Sequence, residues 1–473
     1  MSIDFLNDLG WIQRGAVNPP FGTKIVEARE EVLREFDLGH VWARNNSGEL
    51  HPTDDLLAAQ ETGILFAEAQ TWLTEPGGAF GIILPNGYLG NTRDRAVAVR
   101  EFLLRHNRLV SLLAFPRFTF KSSGADVSAT AVIFERRKSS LRNAKEDDQY
   151  MFHAYLIEHI GKQLGDKINK PLYVRDPETG EPERDKQNEL QRLTDLPDYL
   201  DDLRRSAAVQ SFPWLIEGIT LTRSSRRGHS VPIAEVLNDP HLTMDAKRFS
   251  PKYRSLVDEI RDGPYFRLGD LVEFVPEERE TTMTTSGKER QVRRHFDRGG
   301  VFRYVDIENI SDAGTYTPET MRGWQLPERA RRVGRKGDIF VAAIWSSVRK
   351  WALVNQDDDD LLFTNGCHQL RMRPGAQEHL VDVIAGLARE SYVVQMRALA
   401  RGSDGLAEIT ETDAASVLIA RVEDPARRAQ VQGEINRLLA GQVSIRAVVA
   451  GFSRRDEGAI NEPPQRASHT SLV

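Results

Sequence analysis

An amphipathic helix that runs into a tight turn and then a wholly apolar strand sets the fold class of this chain. From Thr62 to Leu73, apolar residues recur at helical spacing: Ile64, Leu65, Phe66, Ala69, Trp72 and Leu73. Pro76-Gly77-Gly78 then turns the chain into Ala79-Phe80-Gly81-Ile82-Ile83-Leu84-Pro85. An uninterrupted apolar run of that length reads as a strand buried on both faces. A second helix is predicted over Arg95 to Arg105, with further strands at Leu109 to Phe115 and Val127 to Phe134. Helices alternating with buried strands predict an α/β unit built on a mixed, largely parallel sheet.

The chain has 473 residues, too many for one ordinary domain of about 150. Hydrophobic residues make up 40% and charged residues 28%, the balance of a folded globular protein. No apolar run approaches the roughly 20 residues that cross a bilayer, and Met1-Ser2-Ile3-Asp4 opens without a basic stretch, so a cytoplasmic location and no membrane partner are expected. The single cysteine, Cys367, excludes a disulfide framework within the chain and a multi-cysteine zinc site. The histidines show no metal-ligand spacing, so no metal is expected, and His368 reads as structural. Net charge is −6, so contact with nucleic acid has to come from local basic patches.

Asn18-Pro19-Pro20-Phe21 is the sharpest chemical signal. Two consecutive prolines extend neither a helix nor a central strand, so the tetrapeptide forms a rigid turn. A rigid turn at the carboxyl end of a strand has a further use. There the Asn18 side-chain oxygen and the Pro19 carbonyl can both accept bonds from an exocyclic amine, and Phe21 offers a ring face to a base extruded from the duplex. In this context the chain resembles amino-methylating DNA methyltransferases, specifically the modification subunits of type I restriction enzymes. Asn18-Pro19-Pro20-Phe21-Gly22 matches their catalytic motif. Gly63 to Leu73, Pro76 to Gly87, Leu113-Ala-Phe-Pro-Arg-Phe-Thr-Phe120 and Val127 to Phe134 follow in the family's order, and the resemblance covers roughly residues 1–165. It implies adenine-N6 methylation with S-adenosylmethionine as cofactor. Asp4, in Ile3-Asp4-Phe5-Leu6, then takes the acidic position that binds the cofactor's adenine moiety.

The family's glycine-rich loop has no counterpart ahead of Asp4. The resemblance is therefore to the C-terminal half of a split methyltransferase, a partial Rossmann-like sheet lacking its first strands. It implies a second methyltransferase subunit that carries the glycine-rich motif. Downstream, Leu242 to Tyr253, Phe266 to Val272, Val333 to Val341, Thr364 to Gly366 and Ala400 to Gly405 resemble the target-recognition domain of type I specificity subunits, of α+β type. The basic runs Lys288-Glu-Arg-Gln-Val-Arg-Arg294 and Arg329-Ala-Arg-Arg-Val-Gly-Arg-Lys336 suit duplex DNA, with Arg293, Arg294, Arg329, Arg331, Arg332, Arg335 and Lys336 as candidate phosphate contacts. The run Asp357 to Asp360 reads as an acidic loop.

The expected organisation is a catalytic half at 1–220, a recognition domain at 221–423, a long helix at 424–452 and a disordered tail at 453–473. Asp424-Pro425 opens the helix, and its Val431, Ile435, Leu438 and Leu439 side is expected to pair with a partner or a second copy of the chain. A restriction subunit is a further possible partner. The alternative function is a non-catalytic specificity subunit whose degenerate methyltransferase half serves as a docking platform.

Overall fold

The computed structural model describes residues 12–20, 25–46, 48–121, 127–164, 170–185, 187–218, 229–283, 289–293, 295–402 and 407–441, the side chains of 279–283 and 289–293 excepted. Asp4, Phe21, Arg294 and the tail from 442 onward lie outside these residues. The chain divides into two compact units, one of residues 1–251 with 401–404 and the other of 252–400 with 405–473. The boundary expected at 220 thus falls at 251. Val231–Pro232 adds to the first unit's sheet, and Ile233, Val236 and Phe249 are buried in its core.

In the first unit a six-stranded sheet is built from β1 (Ile12–Val17), β2 (Thr74–Pro85), β3 (Asn107–Ala114), β4 (Ala129–Arg136), β5 (Met151–Leu156) and β6 (Val231–Pro232), in spatial order β1-β2-β4-β3-β5-β6. Only β1–β2 and β3–β5 are parallel pairs. The three others are antiparallel, which corrects the expectation of a largely parallel sheet. The physical reason is β4. It returns from β3 without a helical crossover and slots antiparallel between β2 and β3. The mixed α/β class stands.

Helix α1 (Thr62–Leu73) and helix α2 (Asp94–His106) fall within a residue of their expected bounds. β2 begins at Thr74, before the Pro-Gly-Gly turn rather than after it. The chain absorbs that turn as an irregularity in the β1–β2 register, with Gly77 at φ 85 in the left-handed region glycine tolerates. Facing rings fill the core: Phe80 and Phe134 are register partners 5.6 Å apart, and Phe102 and Phe152 are fully buried. Each such side chain contributes about 1.5–3 kcal/mol through the area it removes from water.

The second unit holds two four-stranded sheets. The strands of these two sheets are β7 (Val272–Phe274), β8 (Val301–Val305), β9 (Glu319–Arg322), β10 (Ala330–Val333), β11 (Ile339–Ala342), β12 (Trp351–Leu353), β13 (Leu361–Thr364) and β14 (Cys367–Met372). The orders are β7-β14-β11-β12 and β9-β8-β13-β10. Helix α3 (Pro425–Leu439) starts as its sequence predicts, with the Asp424 carboxylate accepting from the Ala426 and Arg427 amides. Its apolar face does not wait for a partner helix. Val431, Ile435 and Leu438 are buried in the core of their own unit.

One buried polar group in the first unit escaped the periodicity. Glu68 lies on the inner face of α1, 1% exposed. Its two oxygens accept from the Asp37 and Leu38 amides at 2.8 Å and from the Trp72 indole at 3.3 Å. Burial outweighs these donors and pushes the carboxyl up from 4.5 to about 8. Between those values the unfolded chain holds fewer protons than the folded one, so this group's contribution to stability falls as pH rises from about 4.5 to about 8. Thermal melts of wild type and Glu68→Gln across that window test this. The variant is expected to lose part of the decline, and identical slopes would contradict the assignment.

Candidate active site

Asn18-Pro19-Pro20 leaves the carboxyl end of β1. The prolines have no N–H to continue the ladder, so pairing with β2 stops at Val17 opposite Ile82. Pro19 is buried and anchors the loop, while Asn18 and Pro20 are exposed. Among the described residues the Asn18 side chain makes no hydrogen bond, so its amide oxygen and nitrogen are both open to a ligand.

The loop rests on the start of α1. A Cβ placed on Gly63 would stand 3.4 Å from the Pro20 carbonyl oxygen and 3.6 Å from the Tyr88 hydroxyl, ordinary contact distances that set the start of α1 directly against the loop. The Tyr88 hydroxyl donates to the Glu61 carboxylate. Burial and that carboxylate hold its proton on well above the ordinary tyrosine range, which makes Tyr88 a fixed donor behind the loop. β1 itself seats on α1 through Gly15, where a side chain would stand 2.9 Å from the Gln70 amide nitrogen.

Two more loops share this end of the sheet, because β1, β2 and β3 run in the same direction. After β2, the Asn86 amide donates to the Ser128 carbonyl at 2.9 Å and its side-chain oxygen accepts from Thr130 at 2.8 Å. After β3 comes Phe115-Pro-Arg-Phe-Thr-Phe-Lys121, with Phe118 at φ 70. That left-handed conformation costs a non-glycine residue roughly 1–2 kcal/mol. Strain of this kind gathers at functional sites. The carboxyl ends of strands are where open α/β sheets bind ligands. The signal for this third loop was present in sequence, as three phenylalanines and two cations in seven residues.

The candidate DNA contacts meet different fates. Arg293 ends the strand Glu289–Arg293 of a two-stranded hairpin with Arg279–Met283. Arg329 is exposed and paired with Asp306, and Arg335 is half exposed and paired with Asp359. Lys336 is exposed, and its amide donates to Asp357. Arg331 is half-buried. Arg332 departs from the expectation of a surface contact: it is 7% exposed, donates to the Val275 carbonyl at 2.6 Å and lies 3.6 Å from Glu411. The alternation of β10 turns it inward, toward a cleft of about 160 Å³ that Arg335, Gln369 and Arg371 also line. The acidic run is a set of partners for these cations: Asp358 and Asp360 hold Arg303, and Asp359 holds Arg335. No three metal-ligating side chains converge among the described residues. Cys367 is buried and its thiol is pushed up to about 12, outside the range of a reactive nucleophile.

No protein-family model matches the chain, and no curated protein matches it. Solved structures similar to it come from restriction-modification systems. The HsdS subunit from Thermoanaerobacter tengcongensis is 23% identical, covering 38% of this chain and 43% of its own, with a TM-score of 0.27. The type IIG restriction endonuclease BpuSI is 11% identical over 91% of this chain and 49% of its own, with a TM-score of 0.36. The type I methyltransferase subunit from Streptococcus thermophilus is 12% identical over 50% and 38%, with a TM-score of 0.23. The chain spans less than half the length of each.

The two kinds of arginine separate by experiment. Arg332→Ala strips a buried carbonyl of its donor and is expected to cost about 1–3 kcal/mol in a denaturant melt. Arg329→Ala removes an exposed pair and should move stability by no more than about 1 kcal/mol. Equal losses would contradict the placement of Arg332.

Proposed function

We propose that this chain is the catalytic and DNA-recognising subunit of a site-specific adenine-N6 DNA methyltransferase from a restriction-modification or phage-defence system. The observation that carries the reading is Asn18-Pro19-Pro20 at the carboxyl end of an edge strand, with Asn18 exposed and unengaged among the described residues. Asn18 and the Pro19 carbonyl accept the two N6 protons of an extruded adenine, and Phe21 stacks on its ring. Both acceptors draw the amine toward a tetrahedral geometry, which frees its lone pair to form the N–C bond as the methyl parts from its sulfonium sulfur, the surplus amine proton passing to solvent. The two prolines hold the acceptors in place, so no ordering is needed at the moment of reaction.

S-adenosylmethionine, shared with the partner subunit, supplies the methyl group. Of this chain's residues, Asp4 is assigned to its adenine moiety. The open side of β1 supports a shared site. Among the described residues β1 pairs only with β2, none of its residues is buried, and Ile12 and the helical Phe66 are 40% and 46% exposed. Parallel strands are usually covered by neighbours, and this one has an unpaired edge fit for strands from the glycine-rich half. The second unit, with Arg329, Arg331, Arg335 and Lys336 and the hairpin that ends at Arg293, reads the duplex, and Arg294 is assigned to the same contact.

Replacing Asn18 tests the reading. In the complex with its partner, Asn18→Ala is expected to lower methyl incorporation into duplex DNA by about 10²–10³ while DNA affinity holds. Near-normal incorporation would reduce the loop to a turn and leave the chain as a docking and specificity subunit.

A further inference from the structure

We propose that the loop after β3 is a phosphate clamp, in which Lys121 and Lys162, with Arg117 beside them, hold the DNA backbone next to the extruded base. This inference rests on the methyltransferase reading and names a contact surface outside the second unit. The loop segment 115–121 contains two cations and no acid. Phe118 organises the cations: the Arg117 guanidinium lies 4.7 Å and the Lys121 ammonium 4.6 Å from its ring centre. From the segment that follows β5, the Lys162 ammonium donates to the Thr119 carbonyl at 2.8 Å and joins the same group. Neither lysine has a carboxylate partner among the described residues, unlike Arg329 and Arg335 of the second unit. Lys121 at the Phe118 ring and Lys162 at the Thr119 carbonyl bring two positive charges to the same loop, which favours an anion beside them. The loop thus favours a polyanion.

Its place in the sheet says which stretch of polyanion. β3 lies three positions from β1 in the order β1-β2-β4-β3, and the loops leave the same end. At about 4.8 Å per strand the separation is about 14 Å. That is the reach of about four base steps along a strand at roughly 3.4 Å each. A duplex presenting its base to Asn18 thus has backbone phosphates within reach of the Lys121–Lys162 patch.

The test is a salt titration of duplex binding by the assembled complex, wild type against the double substitution Lys121→Gln, Lys162→Gln. Losing two phosphate contacts is expected to reduce the slope of log affinity against log salt by about 2 and to weaken binding about tenfold at low salt. The charge-preserving pair Lys121→Arg, Lys162→Arg should restore both. An unchanged slope in a complex that still binds duplex overturns the clamp and leaves the methyltransferase reading intact. Weaker binding with the wild-type slope means a structural role and overturns it too. Equal displacement by poly-glutamate and by duplex would assign the patch to an acidic protein partner. Failure of the wild-type complex to bind duplex at all overturns the parent reading and the clamp with it.

Discussion

The parallel pairing of β1 on β2 is the constraint on which the candidate site depends. Ala16 opposite Gly81 and Val17 opposite Ile82 decide where the chain leaves the sheet, and hence where Asn18 stands. A slip of one residue would shift the loop by about 3.3 Å and turn every β1 side chain to the other face. β1 gains little from burial to hold that register, because none of its residues is fully buried. Its position comes from elsewhere: the ladder to β2, the close seat of Gly15 on Gln70, the buried Pro19, and the start of α1 beneath Pro20. An acceptor held at the tip of a thinly supported strand is well placed for a chemistry completed by a second body.

In the second unit, charge divides into a buried part and a spare part. Asp338, 1% exposed, accepts from Arg371 at 2.8 and 3.0 Å, from Gln369 at 2.7 Å and from the Arg335 amide at 3.1 Å, tying β11 to β14. Asp382, fully buried, holds Arg428 of α3 and the Val422 amide in the same way. Breaking such a pair leaves a charge stranded at low dielectric, so these contacts fix the frame. The exposed pairs Arg329–Asp306 and Arg335–Asp359 are worth little on their own. They can exchange a carboxylate for a phosphate without disturbing that frame.

Much of this was legible in sequence. Helices α1 and α2 and strands β3 and β4 announced themselves through periodicity, and α3 through its Asp-Pro start. The loop at Asn18 was legible because two prolines have few conformations. What the sequence hid was pairing. Nothing local says that β4 inserts antiparallel between β2 and β3, or that residues 229–250 fold back onto the first unit. Arg332 and Arg329 look alike as letters; the alternation of β10 and the Val275 carbonyl send one inward and leave the other outside. Likewise the apolar face of α3 signalled a buried contact without saying whose core would receive it.

The open edge of β1 is the central claim, and amide hydrogen exchange reads it residue by residue. Along a strand, successive N–H groups point to opposite sides, so half of the β1 amides bond β2 and half face outward. In the chain alone, the outward amides of residues 12–17 are expected to exchange freely while the inward ones are protected. Adding the glycine-rich partner should protect the outward set, with the rest of the sheet little changed. Outward amides that stay unprotected in a complex active in methylation would show that β1 remains an edge, and would contradict a sheet shared between two chains.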